Sequence, residues 1–148
     1  MVWKRKVRAK GVSKVKNAKK VTYNNIEFQS QLELYCYKKL EELNIPVEYE
    51  ETTFTIFDSF VYSQDCYEGT YLKLSKKASK IRAITYTPDF VDPSGKWIIE
   101  TKGYSNESFP LRWKLFKNHL TQNNHHYSLF MPRNKKQVDE IIEIIKEL

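Results

Sequence analysis

The sequence predicts one mixed α/β domain in which helices flank a central sheet. Three observations support this fold class. A chain of 148 residues is long enough to bury one core. Apolar residues recur at helical spacing in three places, and the segments between them are rich in β-branched and aromatic residues. The resulting order is a helix, two or three strands in a meander, a helix, a strand and a closing helix, which favours helices packed on a sheet.

The first helix is the clearest element. Before it, residues 21–28 alternate weakly, which predicts a short strand or a turn. Residues 30–43 place four apolar side chains at helical spacing, namely Leu32, Cys36, Leu40 and Leu43. Asn44 and Pro46 end this helix. The composition of residues 47–57 then predicts a strand or one arm of a hairpin.

The middle of the chain is less regular. Residues 58–81 show no clear pattern and include a loop-like stretch, residues 63–71 (SQDCYEGTY). Residues 82–91 (RAITYTPDFV) predict one strand, with Pro88 at an edge or a bulge. Residues 92–95 (DPSG) predict a turn, and residues 96–103 (KWIIETKG) predict the returning strand.

Three elements complete the chain. Residues 110–120 predict a helix with a proline near its first turn, where the missing N–H costs little. Residues 126–131 predict a short strand. An amphipathic helix follows, with Asn134 as its N-cap and Gln137 three residues further on.

The positive charge is concentrated at the N-terminus. Residues 1–20 hold nine Lys or Arg and no acid, whereas the other 128 residues hold 16 basic and 18 acidic side chains. Such a segment favours nucleic acid as the partner, because each neutralised phosphate releases counterions. We expect a flexible DNA-binding arm ahead of a domain formed by residues 21–148, with phosphate contacts from Lys4, Arg5, Lys6 and Arg8. A solubilising terminus is the alternative.

Membrane and metal-cysteine classes are not favoured. The chain has no apolar run of about 20 residues and no signal-peptide stretch. Its two cysteines, Cys36 and Cys66, lack metal-ligand spacing and are expected to be free thiols in a reducing cytoplasm.

The strongest chemical signal lies in residues 86–104 (YTPDFVDPSGKWIIETKGY). Glu100 and Lys102 share a face of the predicted strand, and the turn folds Asp89 back beside Glu100. Adjacent carboxylates raise each other's pKa unless a cation lies between them. Oxygen ligands from Asp89 and Glu100 suit Mg²⁺, which activates water and neutralises charge on an attacked phosphate. Lys102 would position the water or stabilise the developing anion.

A structural explanation competes with this one. Asp89 could be a turn residue, with Glu100 and Lys102 as a solvated pair on a half-exposed sheet. The proline before Asp89, the tight turn and the apolar run into E-x-K-G favour catalysis, namely phosphodiester hydrolysis.

Pro88-Asp89 followed after ten residues by Glu100-Thr101-Lys102 resembles the PD-(D/E)xK nuclease signature. The order α-β-β-β-α-β is similar to the restriction-endonuclease-like core of that superfamily. Residues 30–103 also resemble the phage endonuclease I family of junction-resolving enzymes, through an S-x-L-E helix start, a YE strand, YTPDF and ETKG. Residues 58–81 depart from that family as an insertion.

The resemblance implies a Mg²⁺-dependent DNA endonuclease, with Mn²⁺ able to substitute, that acts as a homodimer on branched DNA such as four-way (Holliday) junctions. Asp89, Glu100 and the Thr101 carbonyl would bind the metal, and Lys102 would be the catalytic lysine. Glu33 would be a further active-site carboxylate, which in endonuclease I comes from the partner subunit. The residues alone equally predict that Glu33 completes a capping box by accepting from the Ser30 amide.

Further phosphate contacts are expected outside the arm. Lys76 and Lys77 lie in a cationic run between residues 73 and 82, while Arg112 and Lys114 lie on the helix after the catalytic strand. A plain solvated face is the alternative for that helix. Two other functions stay open: a nuclease on another DNA form, such as the end-cleaving subunit of a transposase, and a non-catalytic DNA-binding module.

Overall fold

The computed structural model describes residues 19–77, 79–103 and 108–148. In chain order, the elements in these ranges are β1 (Val21–Tyr23), β2 (Ile26–Phe28), α1 (Gln31–Glu42), β3 (Glu48–Tyr49), β4 (Phe54–Phe57), β5 (Phe60–Val61), β6 (Tyr67–Gly69), β7 (Leu74–Lys76), β8 (Lys80–Ile81), β9 (Ile84–Tyr86), β10 (Phe90–Val91), β11 (Trp97–Ile99), α2 (Phe109–Gln122), β12 (Ser128–Phe130) and α3 (Lys135–Lys146).

A four-stranded mixed sheet forms the centre, in the order β12-β11-β10-β3. β10 is antiparallel to both of its neighbours, whereas β11 and β12 are parallel and are joined through α2. Phe90 pairs with Ile99 and both pack with α1 and α3, while Val91 and Ile98 pack with α2. Helices therefore cover both faces of the sheet, which confirms the predicted mixed α/β class. No helix within the described ranges is long and apolar enough to cross a membrane.

Both predicted helix caps are present, with one difference. The Ser30 hydroxyl accepts from the Glu33 amide at 3.2 Å, and Asn134 accepts from the Gln137 amide at 3.0 Å. The return bond was expected on the Ser30 amide, but the Glu33 carboxylate instead accepts from the amide of Gln29 at 2.8 Å. Gln137 likewise accepts from the residue before its cap. In both helices, the side chain at the third helical position therefore accepts from the amide of the residue before the N-cap, and not from the N-cap amide that the capping box predicts.

Three strand boundaries differ from the sequence prediction. Residues 21–28 form a β-hairpin, closed by Asn24 and Asn25 in left-handed conformations. Residues 47–57 do not form one strand, because Glu50 is left-handed (φ 49°) and separates β3 from β4. Residues 82–91 also divide, because β9 pairs with β4 whereas β10 lies between β11 and β3, and the intervening Pro88 has no amide to donate.

Residues 54–77 and 79–86 form a long antiparallel hairpin, here called the ribbon. β4 pairs with β9, β5 with β8 and β6 with β7. At its base, Phe54 and Tyr86 are buried against Phe116 of α2. The described residues from 57 to 85 are exposed, except for the intermediate Cys66 and Ser75. Ten of the described residues between 58 and 81 thus lie in paired strands, including Tyr67–Gly69 of the stretch with loop-like composition.

Candidate active site

The sheet brings Asp89 and Glu100 together. Asp89 immediately precedes β10 and Glu100 immediately follows β11, so the antiparallel pairing of Phe90 with Ile99 sets the two acids side by side. The Asp89 amide donates to Glu100 Oε2 at 3.3 Å. The site lies where this strand pair ends, close to the first turns of α1 and α2.

Thr101 orients the Asp89 carboxylate. Its amide and its hydroxyl both donate to Asp89 Oδ2, each at 2.7 Å, whereas Oδ1 accepts from none of the described residues. Asp89 is enclosed on most sides yet keeps a partly exposed surface. Burial, the Glu100 carboxylate and the Glu33 carboxylate, in that order, raise the pKa of Asp89 well above its usual value. The cluster therefore favours either a proton or a cation at this carboxylate.

Lys102 is the cation nearest to Glu100. Its Nζ lies 2.7 Å from Glu100 Oε1, and the two side chains are 25% and 5% exposed respectively. Nζ also lies 4.6 Å from the centre of the Phe109 ring at the start of α2. Burial acts to lower the pKa of Lys102, but Glu100 and Asp89 outweigh it and raise that pKa. Lys102 is consequently charged at neutral pH.

Glu33 reaches the site from its own chain. It is buried in the first turn of α1, where Oε1 accepts from the Ser30 hydroxyl at 2.9 Å. Oε2 accepts from the Gln29 amide and from the Tyr49 hydroxyl, at 2.8 and 2.7 Å. Because its charge helps to raise the pKa of Asp89, the helix-capping and active-site roles that the sequence left open are compatible in one side chain.

Tyr86 belongs to the site although the sequence pattern marked it only as a strand residue. Burial and the adjacent Glu100 carboxylate raise the pKa of Tyr86. Among the buried side-chain polar atoms in the described ranges, its hydroxyl oxygen alone has no partner at hydrogen-bonding distance and angle. The Arg112 guanidinium lies 5.7 Å from the centre of its ring. No sequence signal besides its place three residues before Asp89 could have identified this residue.

Asp92 is a buried acid with a structural role. It accepts from the Ser94 amide and hydroxyl at 3.0 and 2.6 Å, and from the Lys96 amide at 3.1 Å. These bonds close the predicted turn, in which Gly95 has a φ of 83°. Asp92 is satisfied by its own turn, whereas Asp89, three residues earlier, is surrounded by other carboxylates.

The expected DNA contacts are dispersed. Lys4, Arg5, Lys6 and Arg8 lie outside the described residues. On the ribbon, Lys76 pairs with Asp65 at 2.6 Å and Lys77 is exposed. On α2, Arg112 donates to the Thr85 carbonyl at 3.1 Å, so it braces the base of the ribbon, and Lys114 is exposed.

The oxygen ligands at the site suit a hydrated hard cation. In the described part of the chain, no three His, Cys, Asp or Glu side chains are grouped as a complete metal cage. Mg²⁺ does not require one, since it keeps several waters and is held by one or two carboxylates. Asp89 and Glu100 provide two carboxylates, and burial together with the charges of Glu100 and Glu33 raises the pKa of Asp89. These residues therefore fit Mg²⁺.

Comparison with known proteins identifies one family. A family model described as Protein of unknown function (DUF1064) matches residues 12–136, which is most of the chain. No curated protein and no solved structure matches significantly.

Proposed function

This chain belongs to the DUF1064 family, and we propose that it is a Mg²⁺-dependent DNA endonuclease of the PD-(D/E)xK class. The observation that carries the proposal is the meeting of Asp89, Glu100 and Lys102 at one end of a strand pair. Burial and neighbouring carboxylates raise the pKa of Asp89. This is expected of a metal-binding carboxylate in the absence of its cation, because a bound cation would favour the ionised form.

The architecture supports this class. The central elements follow the order α1, β3, β10, β11, α2 and β12. This is the α-β-β-β-α-β order that we expect of a restriction-endonuclease-like core. Its strand order, with β10 and β11 in the middle of the sheet, gives the acidic residues a rigid support.

Asp89, Glu100 and the Thr101 carbonyl would hold the metal, and Mn²⁺ could replace Mg²⁺. When bound, the ion lowers the pKa of a water molecule and offsets the charge on the attacked phosphate. The Thr101 amide and hydroxyl keep the Asp89 carboxylate in a fixed orientation, which lowers the entropic cost of binding the ion.

Lys102 supplies a fixed positive charge to the reaction. Its ammonium is anchored by Glu100 but is a quarter exposed, so that a phosphate oxygen can reach it. There it would orient the attacking water or stabilise the negative charge that develops on the phosphate. Glu33 acts as a positioning residue. Three donors hold its carboxylate in place, and its charge strengthens the attraction of the cluster for a cation.

Branched DNA, such as a four-way junction, is the proposed substrate, and a homodimer in the host cytoplasm is the proposed form. The junction preference rests on the resemblance of residues 30–103 to endonuclease I. A dimer would supply the two active sites that paired cuts in a junction require. The basic residues of the N-terminal arm, with Lys114, would contact phosphates.

One cleavage assay tests the proposal. Four-way junction, flap and linear duplex are supplied at equal concentration, with Mg²⁺, with Mn²⁺ or with chelator. We expect metal-dependent cutting, greatest on the junction, and its loss in Asp89→Asn with junction binding intact. Asp92→Asn is the matched control, since it alters a nearby buried acid that only closes a turn, and it should still cut below its melting temperature.

Other outcomes point elsewhere. Binding without metal-dependent cutting would contradict the nuclease proposal and indicate a non-catalytic DNA-binding module. Equal or better cutting of linear ends would keep the chemistry but replace the junction substrate with that of an end-cleaving nuclease. Unchanged cutting by Asp89→Asn would remove Asp89 from the site.

A further inference from the structure

The ribbon carries most of the exposed apolar surface in the described residues. Of fourteen large hydrophobic side chains exposed there, ten lie on the ribbon: Phe57, Phe60, Val61, Tyr62, Tyr67, Tyr71, Leu72, Leu74, Ile81 and Ile84. Two cross-strand pairs, Phe57 with Ile84 and Phe60 with Ile81, are apolar on both strands. A two-stranded hairpin is marginally stable in water by itself, so this length of ribbon is expected to pack against another surface.

The charges of the ribbon are separated by strand. The outgoing chain, residues 54–72, carries three acids and no base: Asp58, Asp65 and Glu68. The returning chain, residues 73–86, carries five bases and no acid: Lys73, Lys76, Lys77, Lys80 and Arg82. A second ribbon related by two-fold symmetry can lay its acidic strand along the basic strand of the first, and the reverse contact follows automatically.

The exposed area is comparable with that of a standard interface. The ten large side chains are between 39% and 109% exposed and, over both faces of the ribbon, offer on the order of 1,000 Å² per copy. A standard protein interface buries about 800 Å² per partner. Duplex DNA fits this surface less well, because its phosphates would meet the acidic strand and leave the aliphatic pairs without an apolar partner.

We propose that the ribbon is a dimerisation arm that packs against the ribbon of a second copy of this chain. This proposal rests on the proposed function in one respect, the homodimer. It assigns the dimer interface to residues 57–84, the region of the insertion. It does not depend on DNA cleavage. The base of the ribbon stays attached to the body through Phe54 and Tyr86, and Arg112 braces it from α2.

Light scattering on the full chain, without DNA or metal, tests this arm. At micromolar concentration the wild type should have twice the chain mass of 17.7 kDa. Replacing residues 58–83 with Asn-Gly should give a folded monomer, since Phe57 and Ile84 already face each other and a two-residue turn can join them. Circular dichroism and the melting temperature check that the body remains folded.

A pair of point variants provides a matched control. Phe60→Ser combined with Leu74→Ser should weaken the dimer at least tenfold, because both side chains are more than half exposed on the ribbon. Ile144→Ser, at an equally exposed apolar residue on α3, should leave the mass of the dimer unchanged. Wild-type and Asp89→Asn proteins should give the same mass, since dimerisation does not involve the acidic site.

The proposal is overturned by a monomeric wild type, or by a dimer that survives removal of residues 58–83. A monomeric wild type whose junction binding falls when the ribbon is removed would instead make the ribbon a nucleic-acid contact. These results are independent of the nuclease assay. A dimer that does not cut contradicts only the nuclease, whereas a monomer that cuts contradicts the dimerisation arm and the proposed homodimer but leaves the nuclease chemistry in place.

Discussion

The acidic site and the ribbon each have an unfavourable feature, which is buried negative charge at the site and exposed apolar surface on the ribbon. At the site, burial and the charges of Glu100 and Glu33 raise the pKa of Asp89, although Lys102 acts to lower it. On the ribbon, ten large apolar side chains are exposed although every strand has its hydrogen-bonded partner. Excess buried charge is relieved by a cation, whereas exposed apolar area is relieved by another apolar surface. The kind of imbalance thus indicates the kind of partner.

The largest effect should come from two neighbouring aspartates whose substitutions change stability in opposite directions. Without metal at neutral pH, Asp89→Asn should raise the free energy of unfolding, because it removes an ionised form that burial and the carboxylates of Glu100 and Glu33 disfavour. The asparagine oxygen can still accept from the Thr101 amide and hydroxyl. Asp92→Asn should lower the free energy of unfolding by about 1–3 kcal/mol, because an amide cannot accept at both of its ends. Urea unfolding measures both.

The raised pKa of Asp89 also predicts the direction in which folding stability changes with pH. Because the folded-state pKa of Asp89 is raised, the unfolded chain ionises first, so metal-free stability should fall as pH rises from about 4 through the folded pKa. Mg²⁺ should restore the lost stability in the wild type, whereas Asp89→Asn should show neither the fall nor the restoration. If the stability of the wild type rose over this pH range, the claim that Asp89 lies in an environment unfavourable to its charge would be contradicted.

The sequence predicts the regular and buried parts of this molecule well. The helices appear because Cys36, Leu40 and similar residues repeat at the helical period, and because Ser30 and Asn134 cap them. The position of Asp89 beside Glu100 follows from one turn between two short strands. These signals are local, so a single sequence contains them.

The ribbon and Tyr86 were harder to predict for physical reasons. The ribbon has no buried face beyond its base, so its strands show no alternation between apolar and polar residues. The separation of β9 from β10 depends on which strand each one pairs with, a long-range property that Pro88 alone does not specify. Tyr86 is a site residue only because packing on Phe116 sets its hydroxyl beside Glu100.

A smaller effect is expected from two buried tyrosines. Tyr86→Phe removes a hydroxyl without an aligned hydrogen bond, so the free energy of unfolding should stay the same or rise by up to about 1 kcal/mol. Cleavage should fall about threefold to tenfold, the value of one hydrogen bond, if bound substrate or water provides the missing partner. Tyr49→Phe is the matched contrast. It removes the hydrogen bond that the Tyr49 hydroxyl donates to Glu33 and should destabilise the fold by about 1–2 kcal/mol. If Tyr86→Phe destabilised the fold equally, its hydroxyl would be structural.

The smallest effect should come from an ion pair on the ribbon. Lys76 and Asp65 lie 2.6 Å apart, as close as Lys102 and Glu100, but both side chains are about 60% exposed. Water and salt screen such a pair. A double-mutant cycle with Lys76→Gln and Asp65→Asn in the Phe60→Ser/Leu74→Ser background, at a protein concentration at which light scattering gives the monomer mass, should therefore give a coupling below about 0.5 kcal/mol. The same cycle in the wild-type dimer should give a larger and less salt-sensitive coupling, because a second ribbon excludes water from these charges. Equal couplings in the two backgrounds would mean that the ribbon stays in water, and the second half of the comparison would then fail.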